Sequence, residues 1–469
     1  MSENAGSMEP RGNSVRVRHV RNDGRELQEF CLSVLPVGNF RTILIKPNWV
    51  KHQESPSFPI AALVTSTNLI EAAIEACLRK YPDVEEITIG DVPLQSCDWE
   101  LLIRQTGIDR LMAKYRDITR PSIRFLDLRR EIYREGKRLQ AGDGFAFGDP
   151  KGYREVRLDQ QSFLEPISDA NEKFRVADYS PQETVSSHKH GFHRYLIAGS
   201  ALACDLLVNL PKMKVHQKAG ITGALKNLVG VNGQKAYLVH YREGMAHQHG
   251  DEFPDDISRL VWLQSRLRQG LQSRSRFLFY LLRLGWRPLK RLAGIKTHGT
   301  RENLEKKFYL SGGAWHGNDT IWRMVYDLNR IIRYADSSGK LQSTPQRAYV
   351  AIMDAMIAGE GNGPLQPLPV ETGLLLAAND PFQMDIVMAR LMGFDYQKIP
   401  TLRQHRLFAD AEWGNFMPGE LMIEQDGQTF RGLNSLPVLH NFLPPPGWKS
   451  HIELGEMDAE GTIQPARVL

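Results

Sequence analysis

Thr42-Ile-Leu-Ile45, Ser66-Thr67-Asn68 and Glu86-Ile-Thr-Ile89 decide the fold. The first is a short apolar strand that runs into Lys46-Pro47-Asn48. The second is a helix start. Behind it Leu69, Ile70, Ala73, Ile74, Cys77 and Leu78 recur at helical spacing. The third is a strand that ends at Gly90-Asp91. Strand, helix and strand in that order predict a parallel βαβ unit.

The same grammar recurs downstream. Asp205-Leu-Leu-Val-Asn209 reads as a buried strand opening into Pro211-Lys-Met-Lys-Val-His216. Tyr349-Val-Ala-Ile-Met353 reads as a strand ending at Asp354, and Leu374-Leu-Leu-Ala-Ala378 as another. A helix from Pro381 to Met392, capped near Asp380, follows it. The expectation is an α/β fold: a mostly parallel sheet with flanking helices, in two lobes, plus a basic helical insertion. Ligands of such sheets sit outside the carboxyl ends of the strands. That rule groups Lys46, Asn48, Asp91, Asn209, Lys212, Lys214, His216, Asp354 and Glu360 as strand-end candidates.

Along the 469 residues, 1–30 read as a basic flexible tail and 31–256 as a first α/β part. Residues 257–305 read as a basic amphipathic insertion and 306–469 as a second α/β part. From Ile257 to Arg301 there is no Asp or Glu, and arginines such as Arg266, Arg268, Arg283 and Arg287 lie among Trp262, Phe277, Phe279 and Trp286. Such a stretch suits the surface of an anionic bilayer, or equally a helical cover over the enzyme's own core.

Composition bounds the rest. With 42% hydrophobic and 24% charged residues the chain has a globular balance. Its net charge of +5 is too mild to imply nucleic acid. Cys31, Cys77, Cys97 and Cys204 lie far apart. That argues against a local iron–sulfur cluster, a cysteine zinc site or a secreted disulfide framework. Met1 to Glu26 lacks the apolar core of a signal peptide, and no apolar run reaches the roughly 18 residues of a spanning helix. The expected location is the cytoplasm, with peripheral contact at the inner membrane face through 257–301.

The segment from Asn209 to His240 is the densest in reactive residues. Lys212, Lys214 and His216 follow a strand end, and Gly220 and Gly223 would let a ligand approach the backbone. Lys226, Asn227, Gly230, Gly233, Lys235 and His240 complete the run. Lysines and glycines after a strand suit a phosphate or carboxylate. A histidine can serve as general base or metal ligand, and a lysine as anion holder or covalent anchor. Neither a phosphate-binding P-loop nor a dinucleotide fingerprint is present. The groups His188, His190, His193 and His247, His249 read more readily as polar turns than as metal sites.

Ile45-Lys-Pro-Asn48, Ile89-Gly-Asp91, Asn209-Leu-Pro-Lys-Met-Lys-Val-His216, Thr222-Gly-Ala-Leu-Lys-Asn227 and Gly359-Glu-Gly-Asn-Gly-Pro364 resemble domain of unknown function 362 over residues 40–400. Some members carry ferredoxin-like cysteine clusters, which this chain lacks. His216-x-x-x-Gly220-x-x-Gly223-x-x-Lys226 is also similar to the central segment of lactate racemase-type enzymes. That likeness implies His216 as catalytic acid/base, Lys226 as the carrier of a nickel-pincer nucleotide and His240 as the nickel ligand. It departs at Gly223-Ala-Leu-Lys226, where the racemases have Gly-Gly-Arg-Lys, and a second catalytic histidine has no clear counterpart.

The expectation is therefore an enzyme of racemase, epimerase or redox type acting on a small hydroxy acid or sugar-like anion. His216 and Lys226 are its catalytic candidates. Lys226, Gly220, Gly223, Asn227, Lys212, Lys214, Lys46 and Asn48 are its cofactor- or anion-binding candidates. His240 would bind the nickel of the pincer nucleotide or another divalent metal. The rival expectation is a membrane-peripheral accessory protein in polysaccharide or lipid-linked glycan assembly.

Overall fold

The computed structural model of the chain describes residues 14–257 and 312–455, apart from 22, 135–136, 142–146, 177–178 and 411. An eleven-stranded mixed sheet runs through it. In chain order its strands are β1 (Ser14–His19), β2 (Thr42–Pro47), β3 (Glu86–Asp91), β4 (Ser122–Asp127), β5 (Leu206–Leu210) and β6 (Lys212–His216). They continue with β7 (Gly220–Ile221), β8 (Ala348–Asn362), β9 (Gln366–Ala378), β10 (Met422–Gln425) and β11 (Gln428–Arg431). Across the sheet the order is β11-β10-β1-β9-β8-β5-β2-β3-β4, with β6 on β8 and β7 on β6. The β8-β5-β2-β3-β4 block is parallel throughout.

Alternation of side chains across a strand explains why both faces are covered. Leu44, Leu207, Met353 and Leu376 point into one core cluster. Their neighbours Ile45, Val208, Ile352 and Leu375 point into the other. The first face carries α4 (Ile321–Tyr334) and α5 (Pro381–Leu391), and the second carries α1 (Gly24–Val34) and α2 (Thr67–Lys80). Between them in the chain lies the short α3 (Gly223–Asn227). Every residue of α5 is buried, and so is its N-cap Asp380, so Asp385 and Asp380 both need partners. Asp380 accepts the Phe382 and Gly414 N–H groups at 2.8 and 2.9 Å, and Asp385 caps α3.

The α/β class and the βαβ unit are as the sequence implies, and three details differ. Residues 1–30 are not all tail: β1 lies between β9 and β10, and Asp23 caps α1 by accepting from Arg25 N. Val15 and Val17 are the reason, because both are buried in the main core. Nor do the described residues form two lobes, since β8 and β9 share one sheet with β5 and β2. Finally, the strand through Tyr349 does not stop at Asp354. It continues across an irregularity near Ala355 and takes in the glycines up to Asn362, paired with β9. Most of the basic stretch from Ile257 to Arg301 lies outside the described residues. Among the described residues no helix is long and apolar enough to cross a membrane. All four cysteines are free and buried.

Candidate functional site

The candidate site is built where β5 ends. Pro211 breaks the strand, and β6 then continues beside the far half of β8, with Lys212 opposite Asp354 and Lys214 opposite Gly359. β7 folds back on β6, pairing His216 with Gly220, and leads into α3. Two short 3-10 turns, Leu228–Val231 and Lys235–Tyr237, carry the chain on to His240.

A buried polar scaffold underlies this loop. The Lys46 ammonium lies 2.8 Å from Asp91 Oδ1, with both side chains almost fully buried. Asp91 also accepts the Trp49 and Val92 N–H groups at 2.6 and 2.7 Å. Lys212 pairs with Asp354 at 2.8 Å, equally buried. Among the described residues Lys214 has no carboxylate partner. It donates to Asn48 Oδ1 at 2.7 Å and to the Leu63 carbonyl at 2.5 Å. Burial, then the Lys212 charge, holds its amine well below the ordinary lysine range. Asn227 joins these pieces: it accepts from Asn48 Nδ2 at 2.8 Å and donates to Asn209 Oδ1 at 2.7 Å.

This arrangement gives several of the expected anion-binding residues partners within the protein. Lys46, Lys212, Lys214, Asn48 and Asn227 were candidates to hold an anion, yet each spends its polar atoms on other protein groups. They set the loop's position. Gly220 and Gly223 have φ values of +81° and +59°, and the space beside them is also filled by the protein. A Cβ on Gly220 would meet the Trp448 ring at 3.2 Å, and one on Gly223 would meet the Asp385 carboxylate at 2.3 Å. That carboxylate accepts the Ala224 and Leu225 N–H groups at 2.6 and 3.0 Å, capping the start of α3. The glycines make room for Trp448 and Asp385.

His216, Lys226 and His240 have no ion-pair partner among the described residues, and their charges interact across the loop. His216 and His240 each feel the charge of Lys226, and His216 also feels His240. Lys218 links the two histidines in space, two residues from His216 and with its ammonium 4.9 Å from the centre of the Tyr241 ring. Burial, followed by the charges of Lys235 and Lys218, pushes the Lys226 amine down to about 7. Both neighbouring charges are positive, so no carboxylate compensates it. Lys235 is pushed down to about 8, chiefly by burial, and donates to the Val92 carbonyl at 2.6 Å. Burial and then Lys226 hold both histidines well below the ordinary imidazole value, so both rings are neutral near pH 7.

The rings differ in their fixed hydrogen bonds. His216 Nδ1 accepts the backbone N–H groups of Lys218 and Ala219 at 3.1 and 3.3 Å. His240 Nδ1 lies 2.6 Å from the Leu238 carbonyl, so it donates. His240 Nε2 is then left as a bare lone pair, the form that can ligate a metal or accept a proton.

Among the described residues no group of three or more His, Cys, Asp or Glu converges as a metal-holding set. Lys226 contributes an amine without an ion-pair partner among the described residues, and His240 contributes one imidazole nitrogen free of a hydrogen bond.

The upstream histidines are structural. His188 Nε2 donates to the Tyr237 carbonyl at 2.6 Å, and its Nδ1 lies 3.2 Å from His193 Nδ1. Glu165 contacts His193 Nε2 at 3.0 Å and the exposed His190 at 2.9 Å. His247 pairs with Asp255 at 2.8 Å on the surface. Lys218, Trp448 and Asp385 were not singled out from the sequence. Lys218 at least lies inside the reactive run. Asp385 meets α3 from 161 residues away, and nothing local to α3 announces it.

Known proteins resemble the chain only in part. A thylakoid-associated protein of Synechocystis is 42% identical over 59 residues, which is 12% of this chain and 18% of that relative. A crystal structure of a Thermotoga maritima protein aligns at 8% identity with a TM-score of 0.34, covering 75% of this chain and 54% of the other. The chain thus spans about half of that structure and under a fifth of that relative. Residues 158–390, which contain β5 to β9 and the whole loop from Lys212 to His240, match the family described as Domain of unknown function (DUF362), and the chain carries that family's domain.

Proposed function

We propose that the chain is an enzyme, isomerase-like in preference to oxidoreductase. Its substrate would be a small hydroxy acid or sugar-like anion, and its helper a metal-bearing or nucleotide-type cofactor. The observation that carries this reading is Lys226: a half-buried lysine with no carboxylate partner among the described residues, its amine desolvated and set near two neutral histidines. Burying such a group costs stability, so its retention in a loop this carefully supported points to chemistry. An incoming anion would supply the missing charge. Lys226 would hold the anionic cofactor or substrate, and His240 would offer its bare nitrogen to a metal.

Intact mass and elemental analysis of protein from its native host test the proposal. The expected result is added mass on the Lys226 peptide, or a stoichiometric metal that is lost in Lys226→Ala and His240→Ala. An unmodified Lys226 peptide in metal-free protein that binds no small hydroxy-acid anion would overturn it.

A second reading is favoured by the thylakoid-associated relative and by the acid-free stretch from Ile257 to Arg301. In it the protein sits at an anionic membrane surface as an accessory of polysaccharide or lipid-linked glycan assembly. Flotation with anionic liposomes tests this. Binding that survives deletion of 257–301 would remove that segment as the contact.

A further inference from the structure

We infer that the two histidines of the site have opposite and fixed duties: His216 gives its Nε2–H to an oxyanion of the ligand, and His240 presents the site's open nitrogen. This rests on the proposed reading of the site as a small-anion site, and it changes the role that the racemase likeness implies for His216.

The argument is one of donors and acceptors. An imidazole nitrogen that receives two N–H groups must keep its lone pair. For His216 that nitrogen is Nδ1, held by the backbone of Lys218 and Ala219 at 3.1 and 3.3 Å. Backbone N–H groups cannot reverse their polarity, and β7 fixes them by pairing Gly220 with His216. The ring's one hydrogen therefore lies on Nε2. Taking up a second proton would set Nδ1–H against two N–H groups, so this ring is barred from service as a general base. It is left as a neutral hydrogen-bond donor, a role suited to charge that sits or develops on oxygen.

His240 is the mirror case. Its Nδ1 faces a carbonyl at 2.6 Å and must donate, which leaves Nε2 bare. A donor ring, an acceptor ring and the Lys226 amine, whose charge both rings feel, make an asymmetric set of groups. A small oxyacid fits it: one oxygen on His216 and Lys226, and the group that loses a proton or meets a metal on His240. A metal chelated by two imidazoles does not fit, because His216 has no lone pair to give.

The test is made on the full chain labelled with 15N-histidine. Two-bond correlations between ring nitrogens and ring protons distinguish the two tautomers, and His216→Gln and His240→Gln identify the signals. The expected pattern near pH 7 is Nε2–H for His216 and Nδ1–H for His240. Oxalate is the probe ligand. It should shift the His216 Nε2 proton, and His216→Leu should bind it roughly tenfold or more weakly, the loss expected for a donor to a charged oxygen. His216→Gln, whose amide can still donate from that position, should restore most of the affinity. An Nδ1–H or doubly protonated His216 overturns the division of duties and leaves the small-anion reading standing. The expected tautomers without any oxalate binding overturn the oxyanion assignment and the small-anion reading with it. Equal loss in the Leu and Gln variants overturns the donor role.

Discussion

Gly230→Ala probes the scaffold beneath the site without touching the site itself. Gly230 is not in the left-handed region, so alanine brings no backbone strain. Its Cβ would lie 2.0 Å from Asp91 Oδ1 and 2.6 Å from Lys46 Nζ. Both contacts are far inside van der Waals distance, so the 2.8 Å ion pair must open. Neither partner has water to turn to, because both are almost fully buried. Opening a buried pair typically costs about 3–5 kcal/mol, and partial relaxation places Gly230→Ala near ~3 kcal/mol. Urea unfolding of the wild type and Gly230→Ala measures this as a shift in midpoint at constant slope.

The mechanism is checked in an Asp91→Ala background. There the carboxylate is gone and Lys46 is free to swing away, so the same alanine should cost less than ~1 kcal/mol. The coupling between the two changes should be about 2 kcal/mol or more. Equal costs in both backgrounds, or a Gly230→Ala effect within ~0.5 kcal/mol, would refute the claim that this glycine exists to admit the ion pair.

Other perturbations separate support from function. Lys226→Met should stabilise the protein, and more so near neutral pH than in alkali. The native amine at about 7 lies below its unfolded value, so between the two the unfolded chain binds more protons and wild-type stability rises with pH. The shift sets a ceiling of about 4 kcal/mol at pH 7; partial solvent access reduces the expected gain to about 1–2 kcal/mol, fading toward pH 10, in urea melts at several pH values. Gly223→Ala should cost about 3 kcal/mol or more, since it combines a positive φ with a Cβ 2.3 Å from the Asp385 carboxylate, and it should weaken oxalate binding by displacing α3. Asp327→Ala leaves Ser162 Oγ, Phe163 N and Tyr195 OH without the acceptor they reach at 2.5, 2.7 and 2.8 Å. It should lower the urea midpoint by the equivalent of about 3 kcal/mol while leaving oxalate affinity unchanged.

Much of the sheet was legible in the sequence because its strands are short apolar runs that end in polar residues. Thr42-Ile-Leu-Ile45 and Glu86-Ile-Thr-Ile89 have no amphipathic alternative, and the helix beginning at Thr67 has clear spacing. β1 was missed because its two valines sit in an arginine-rich N-terminal run that reads as a polar tail, although Ser14-Val-Arg-Val-Arg-His19 alternates as a strand does. Pairing with β9 makes it a strand, and that partner lies more than 350 residues downstream. The extent of β8 was missed because Gly359-Glu-Gly-Asn-Gly363 carries loop composition, while in the fold close packing against Val215 and Lys214 requires those glycines.

At the site, residue types drew attention to the right segment but could not separate its lysines. Lys46, Lys212 and Lys226 look alike in sequence. Asp91 and Asp354 reach the first two, and no acid reaches the third. Tautomers depend on backbone N–H and C=O groups, which no side-chain pattern reports.

The most direct measurement of the central claim is the pH dependence of Lys226 modification. Limited reductive methylation, followed by peptide mass spectrometry, reads the rate at each lysine as pH is varied. An uncompensated amine in an anion site should react half-maximally near its value of about 7, ahead of ordinary surface lysines, and oxalate should protect it. A Lys226 that reacts only as pH approaches about 10, with or without oxalate, would contradict the account.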